Sequence, residues 1–155
     1  LARVPGRPRP DGSDPGYIMF CAHLDTVPHE APVEVVLDEE ETYRSAGNTI
    51  LGADNKAAVA VLVEMAVRAV ADPPPVGLEL LFTVAEEQGL IGAKAFDHSK
   101  LKSATGFVLD HATDIGEVII AAPTHIGIEA TFKGVEAQAG LIPETGRSAI
   151  AAARS

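Results

Sequence analysis

The order of apolar and polar residues along the chain predicts an alternation of strands and helices. Apolar segments of strand length cover Tyr17 to Cys21, Leu78 to Ala85 and Gly106 to Asp110. Residues 55–70 repeat apolar side chains at helical spacing, and a second, shorter helix is predicted over residues 89–96. This alternating order predicts a parallel or mixed α/β sheet.

Shorter elements are predicted before and between these segments. Residues 4–16 are rich in Pro, Gly, Arg and Asp and predict a loop that follows a stub of strand. Pro32 to Leu37 and Glu41 to Ser45 predict two short strands joined by an acidic turn.

We place a domain boundary near Pro123, because the composition of the chain changes there. Residues 125–133 alternate like a half-exposed strand, residues 134–146 contain Gly and Pro, and a helix is predicted to start near Thr145. The chain begins at Leu1 without Met and ends inside a helical pattern. We therefore expect it to be part of a longer protein.

Composition argues against several classes of partner. The formal charge of −10 argues against nucleic acids and anionic membranes, because these bind basic surfaces. The chain has no run of about 18 apolar residues, so no membrane span is predicted. The single cysteine, Cys21, cannot form an internal disulfide, so no oxidising compartment is implied and we expect a cytoplasmic protein.

The most informative motif is His23-Leu24-Asp25, at the end of the first long strand. Residues two apart in an extended backbone point the same way, so Asp25 can accept the spare ring N–H of His23 while the other ring nitrogen holds a metal. For such a short pattern taken alone, a packed or surface histidine is the alternative.

More acidic residues stand at the ends or turns of the following apolar segments, namely Asp54, Glu86, Glu87 and Asp110. Side chains at the carboxyl ends of parallel strands converge in one crevice. One imidazole with several carboxylates is a donor set suited to more than one divalent cation. For each acid taken singly, a solvated loop carboxylate is the alternative.

Four motifs together resemble one family. They are His-Leu-Asp-Thr-Val-Pro at residues 23–28, Gly-Ala-Asp-Asn-Lys-Ala at 52–57, Phe-Thr-Val-Ala-Glu-Glu-Gln-Gly at 82–89 and Phe-Val-Leu-Asp at 107–110. In this order and spacing they resemble the co-catalytic zinc peptidases, which include peptidase T, bacterial glutamate carboxypeptidase and the acetylornithine and succinyl-diaminopimelate deacylases. The second motif is most similar to that of peptidase T.

The resemblance implies a pair of zinc ions, for which Co²⁺ or Mn²⁺ are possible substitutes. It implies that His23 and Asp110 bind one ion, that Glu87 binds the other, and that Asp54 bridges them. It also implies a cis peptide bond between Asp54 and Asn55.

The resemblance implies two further catalytic tasks. Asp25 would orient His23, and Glu86 would be the general base that takes a proton from water and passes it to the leaving amine. Neighbours in an extended segment face opposite ways, so Glu86 and Glu87 can divide the roles of base and ligand.

Two positions depart from the family pattern. Relatives carry a fifth metal ligand, a histidine in the second half of the catalytic domain, and His111 and His125 stand in the wrong segment for it. Relatives usually have a histidine at the position of Gln138, where it reaches the partner subunit's active site. Gln can donate a hydrogen bond there but cannot carry a proton. We expect the chain as given to hold zinc weakly and to have little peptidase activity.

The fold implied is a three-layer α/β zinc-peptidase catalytic domain with a mixed sheet, of which residues 1–122 are the N-terminal part. Residues 123–155 would start an α+β lid or dimerisation domain. The function favoured is an aminopeptidase acting on short peptides, in a homodimer formed through the lid. A deacylase or carboxypeptidase of the same superfamily is one alternative, and an inactive fragment that binds metal weakly is the other.

Overall fold

The structure is a computed structural model that describes residues 1–154. The chain divides into two compact units, Leu1–Thr113 and Asp114–Ser155. The predicted domain boundary near Pro123 stays a prediction about the organisation of the protein.

The first unit combines strands and helices in the predicted order. Its elements are β1 (Ala2–Val4), β2 (Tyr17–His23), β3 (Val35–Leu37), β4 (Tyr43–Ser45), α1 (Ala53–Ala71), β5 (Gly77–Thr83), α2 (Ile91–Ala95), a 3₁₀ turn (His98–Lys100) and β6 (Gly106–Val108).

Four of these strands form one mixed sheet in the order β1-β5-β2-β6. Strand β2 runs parallel to both of its neighbours, with His23 opposite Thr83 of β5 and Cys21 opposite Val108 of β6. Strand β1 is antiparallel to β5. The carboxyl ends of β2, β5 and β6 therefore meet at one edge of the sheet, which confirms the predicted mixed α/β fold.

The core lies between α1 and this sheet. Leu62 and Ala69 on one side of α1 are buried together with Ala22 of β2 and with Leu78 and Leu80 of β5. Leu62 is fully buried and Leu80 is 1% exposed. This packing holds the start of α1 next to the carboxyl end of β2.

Several predicted boundaries shift in the structure. The strand predicted to end at Ala85 ends at Thr83, because the chain turns there and Ala85 has a positive φ of 52°. The strand predicted to end at Asp110 ends at Val108. The two short strands pair as the β3–β4 hairpin, as predicted.

The second unit contains a 3₁₀ turn at Pro143–Thr145 and α3 at Ala149–Arg154, so the helix predicted to start near Thr145 begins later. Residues 125–133 form no strand, and that prediction is wrong. Their alternation matches a strand, but a strand needs a neighbouring strand to bond its backbone N–H and C=O groups. Among the described residues, no strand pairs with this segment. Within residues 1–154, no helix is long and apolar enough to cross a membrane.

Candidate metal centre

The candidate residues lie at the carboxyl edge of the sheet, at strand ends, in the loops that follow them and at the start of α1. His23 is the last residue of β2, Glu86 and Glu87 follow β5, and Asp110 follows β6. Asp54 stands in the first turn of α1, where its own backbone is not yet helical, with φ −84° and ψ 106°. Parallel pairing of β2 with β5 and β6 explains why residues so distant in sequence meet here.

The ring of His23 is the centre of this group. It is 3% exposed, and its Nε2 lies 2.9 Å from Oδ1 of Asp54 and 3.7 Å from Oδ1 of Asp110. These three residues each offer a ligand atom within 4.8 Å of the other two. The resemblance implies that His23 and Asp110 bind one ion and that Asp54 bridges this ion to the second.

A second group of three also includes His23. His23, Glu86 and Glu87 each offer one ligand atom within the same 4.8 Å limit. None of the groups found within residues 1–154 contains both Asp54 and Glu87. The bridging role of Asp54 towards an ion on Glu87 therefore stays a prediction.

Asp25 lies on the other side of the imidazole. Its Oδ1 is 3.5 Å from Nδ1 of His23, and Nδ1 has no hydrogen-bond partner in the part of the chain that the structure describes. The same carboxylate accepts the backbone N–H of Glu86 at 3.1 Å and that of Glu87 at 3.2 Å. Burial raises the pKa of Asp25, but these N–H donors outweigh burial, so its pKa lies below the ordinary value.

The electrostatics show that the acids crowd one another. Burial and the negative charge of Asp110 raise the pKa of Glu86. Burial also raises the pKa of Asp110, and the neighbouring Asp54 adds to this rise. Burial lowers the pKa of His23, but its hydrogen bond to Asp54 and the charge of Asp110 outweigh burial and raise it. The surrounding carboxylates therefore favour a positive charge at His23.

A divalent cation fits this arrangement. It would replace the proton on Nε2 of His23 and would relieve the repulsion between the carboxylates. One imidazole nitrogen with carboxylate oxygens suits a cation such as Zn²⁺ or Mn²⁺. The buried ring with carboxylates on both sides is also the usual support of a metal-binding histidine.

Two neighbours of Asp54 take positions that could not be inferred from their sequence context. Lys56 donates a hydrogen bond from Nζ to the carbonyl of Leu24, rather than pairing with the acids. Asn55 is 5% exposed and its Nδ2 has no partner within residues 1–154. The peptide bond between Asp54 and Asn55 is cis, as the resemblance implied.

The remaining candidates do not belong to the two groups of possible ligands described above. Gln138 is exposed, and its carbonyl accepts the N–H groups of Leu141 and Ile142 in a turn. His111 and His125 are exposed, and neither belongs to a group of possible metal ligands in the described chain. The role predicted for Gln138 stays a prediction.

Comparison with known proteins places the chain in a family. Residues 3–140 match the profile of peptidase family M28. The chain belongs to this peptidase family, and the predicted resemblance to the co-catalytic zinc peptidases is confirmed.

Individual relatives agree with this placement. The chain is 41% identical to the uncharacterised protein YqjE of Bacillus subtilis over 135 residues. This match covers 86% of the chain and 36% of YqjE. The chain is 32% identical over 149 residues to a probable carboxypeptidase of Ajellomyces capsulatus, covering 91% of the chain and 33% of the relative.

A solved structure shows the same fold. The crystal structure of aminopeptidase PepT from Bacillus cereus superposes with a TM-score of 0.67 at 34% identity, over 98% of the chain and 40% of that enzyme. The chain thus spans between a third and two fifths of the length of these proteins.

Proposed function

We propose that the chain carries the metal centre of a dinuclear zinc aminopeptidase that cleaves short peptides. The observation that carries this proposal is the buried ring of His23, with Nε2 facing Asp54 and Asp110 and the Glu86–Glu87 turn beside it. The likeness to aminopeptidase PepT supports the reaction class. Cleavage in the cytoplasm by a homodimer is part of the same proposal.

The proposed roles follow from position and charge. His23 and Asp110 would hold one ion, Glu87 the other, and Asp54 would bridge them. When bound, the ions would polarise the scissile carbonyl and lower the pKa of the attacking water.

Glu86 would take the proton from that water and transfer it to the leaving amine. Its raised pKa, caused by burial and by the charge of Asp110, moves it towards the pH at which the proton must be exchanged. The open side of the cluster faces solvent, since Asp54 and Glu87 are exposed, so a peptide can reach it.

Metal counting tests the first part of this proposal. The chain is stripped with a chelator and titrated with Zn²⁺, and the bound metal is measured per chain at equilibrium with free Zn²⁺. We expect binding in the unaltered chain and loss of binding in His23→Ala. The absence of any zinc binding above that of His23→Ala would refute the proposed centre.

Substrate tests separate the aminopeptidase from its alternative. A carboxypeptidase is the second candidate, because curated fungal relatives carry that name. The full-length gene product is given trialanine and N-acetyl-trialanine. An aminopeptidase cleaves only the first and releases the N-terminal residue, whereas a carboxypeptidase cleaves both from the other end. Release of acetate from N-acetyl-alanine would instead identify a deacylase.

A further inference from the structure

Asp25 connects two loops that lie far apart in sequence. It follows β2 at the sheet edge, and each of its carboxylate oxygens accepts one backbone N–H, from Glu86 to Oδ1 and from Glu87 to Oδ2. Its Oδ1 is also the atom that lies 3.5 Å from Nδ1 of His23. One carboxylate therefore contacts the ring at the centre of the site and the turn that carries two other candidate residues.

The Glu86–Glu87 turn is closed at its base by its own backbone. The N–H of Gly92 donates to the carbonyl of Val84 at 3.0 Å, and the N–H of Ile91 donates to the carbonyl of Ala85 at 3.0 Å. The tip is different, because the N–H groups of the two glutamates point to Asp25.

The backbone before Asp25 is itself held on both sides. The N–H of Leu24 donates to the carbonyl of Thr83 at 2.8 Å, at the end of β5. The carbonyl of Leu24 accepts the hydrogen bond of Lys56, which belongs to the first turns of α1. The backbone next to Asp25 is therefore hydrogen-bonded to both β5 and α1, so Asp25 has a fixed position from which it can hold the turn.

We propose that Asp25 is the positioning residue of the Glu86–Glu87 turn as well as of the His23 ring. It sets the general base and the ligand on Glu87 relative to the imidazole. The metal-binding part of this inference rests on the proposed function, whereas the contact with the turn does not. The simpler view, in which Asp25 acts on His23 alone, makes a different prediction for the two backbone N–H groups.

Hydrogen exchange of the metal-free chain, followed by NMR, distinguishes the two views. Asp25→Asn keeps the size of the side chain but places an NH₂ group against an N–H donor. We expect exchange at Glu86 and Glu87 to accelerate by roughly 10- to 100-fold, as for loss of a hydrogen bond to a charged group. Asp25→Glu, which keeps a carboxylate, should restore part of the protection.

The matched control is Asp38→Asn. Asp38 accepts the backbone N–H groups of Glu40 at 3.0 Å and Thr42 at 2.8 Å in the β3–β4 turn, away from the candidate residues. In Asp38→Asn, faster hydrogen exchange should be confined to the amides of the β3–β4 turn. Protection of the β2–β5 amides shows that each variant is folded.

A second measurement needs no variant. A scalar coupling across the hydrogen bond, between the amide nitrogen of Glu86 or Glu87 and the carboxyl carbon of Asp25, is expected in the unaltered protein. Exchange at both amides within about twofold of the unaltered protein in Asp25→Asn would overturn the inference, as would absence of the coupling at both amides.

Metal binding provides the last readout. We expect Asp25→Asn to weaken the binding of both equivalents of Co²⁺, followed by its visible absorption, by roughly 10- to 100-fold. Weakening confined to the ion held by His23 would overturn the inference, because Glu87 would then be placed without Asp25. If the unaltered chain bound no Co²⁺, the proposed function would fail, and the exchange and coupling results would still decide whether Asp25 holds the turn.

Discussion

Replacement of Glu79 by Gln tests the most deeply buried charged side chain among residues 1–154. Glu79 lies in β5, one of the two inner strands of the sheet, with its side chain fully buried. It pairs with Nε of Arg3 at 2.8 Å and accepts the backbone N–H of Lys102 at 3.0 Å. Both the N–H and the hydroxyl of Ser103 donate to it as well, at 2.8 and 2.6 Å. A Gln keeps the shape but loses the charge, and its NH₂ group would face one of these donors.

The magnitude follows from this network. Removing one partner of a buried ion pair costs about 3–5 kcal/mol. Burial alone raises the pKa of Glu79, but the hydrogen bonds from Ser103, Lys102 and Arg3 outweigh it and lower the pKa from 4.5 to about 2. At about 1.4 kcal/mol per pH unit, this lowering corresponds to about 3 kcal/mol. The two figures agree, and they are a large part of the roughly 5–15 kcal/mol that stabilise a domain.

The sign of the pH dependence follows from the lowered pKa. Ionised Glu79 stabilises the fold above pH 4.5, and this contribution is lost as the pH falls towards 2. The difference in unfolding free energy between the unaltered chain and Glu79→Gln should therefore shrink on acidification. Urea unfolding followed by circular dichroism at pH 7, 5, 4 and 3 measures it.

Glu64→Gln is the matched control for this experiment. Glu64 pairs with Arg68 at 2.7 Å on the exposed side of α1, and its side chain is 57% exposed. An exposed pair of this kind contributes about 0.3–0.5 kcal/mol. A cost for Glu79→Gln below about 1 kcal/mol at pH 7, or one that does not shrink towards pH 3, would refute the reasoning.

Three further predictions concern the candidate site. Glu86→Gln should keep the metal content and lower turnover of the full-length product by roughly two to four orders of magnitude, whereas Glu87→Gln should lose metal; equal behaviour of the two would contradict their separate roles. Lys56→Met removes the hydrogen bond to the carbonyl of Leu24, in the loop after β2, and should weaken Zn²⁺ binding by roughly 2- to 10-fold. Lys56→Arg keeps a donor and should leave Zn²⁺ binding unchanged. Calorimetric titration with Zn²⁺ measures both affinities. Gly92→Ala places a Cβ 2.3 Å from the backbone oxygen of Val84 at the base of the turn, and it should lower the free energy of unfolding by about 1–3 kcal/mol, measured in urea. Gly47→Ala is the control, because a Cβ at position 47 meets nothing within 4 Å.

The parts of the fold that could be predicted are those in which local pattern and packing agree. The sequence of residues 55–70 predicts the helix α1 because its apolar side chains repeat with the period of a helix. The near-continuous apolar sequence of Leu78 to Ala85 predicts a strand that is covered on both faces. The cluster around His23 is predicted by the position of each acid at the end or turn of an apolar segment, and the roles of its members remain a proposal.

The parts of the fold that could not be predicted depend on hydrogen-bond partners that the sequence does not identify. Residues 125–133 alternate as a strand does, yet the alternation cannot show whether a neighbouring strand exists to accept their hydrogen bonds. The partners of Glu79 include the backbone N–H groups of Lys102 and Ser103, which every residue other than proline possesses. The only visible signal was one charged residue inside an otherwise apolar strand.

Glu79 and Asp25 act on strand β5 at its two ends in the same way. Near the start of the strand, Glu79 ties it to residues 102–103, which lead into β6 and so towards Asp110. Beyond its end, Asp25 ties the Glu86–Glu87 turn to β2. Each carboxylate joins a strand to a loop through backbone N–H groups, so the spacing of the candidate ligands depends on the path of the main chain. For this reason a substitution at Glu79 should also change amide hydrogen exchange at Asp110, although Asp110 lies beyond the end of β6 and no hydrogen bond joins the two side chains directly in the described structure.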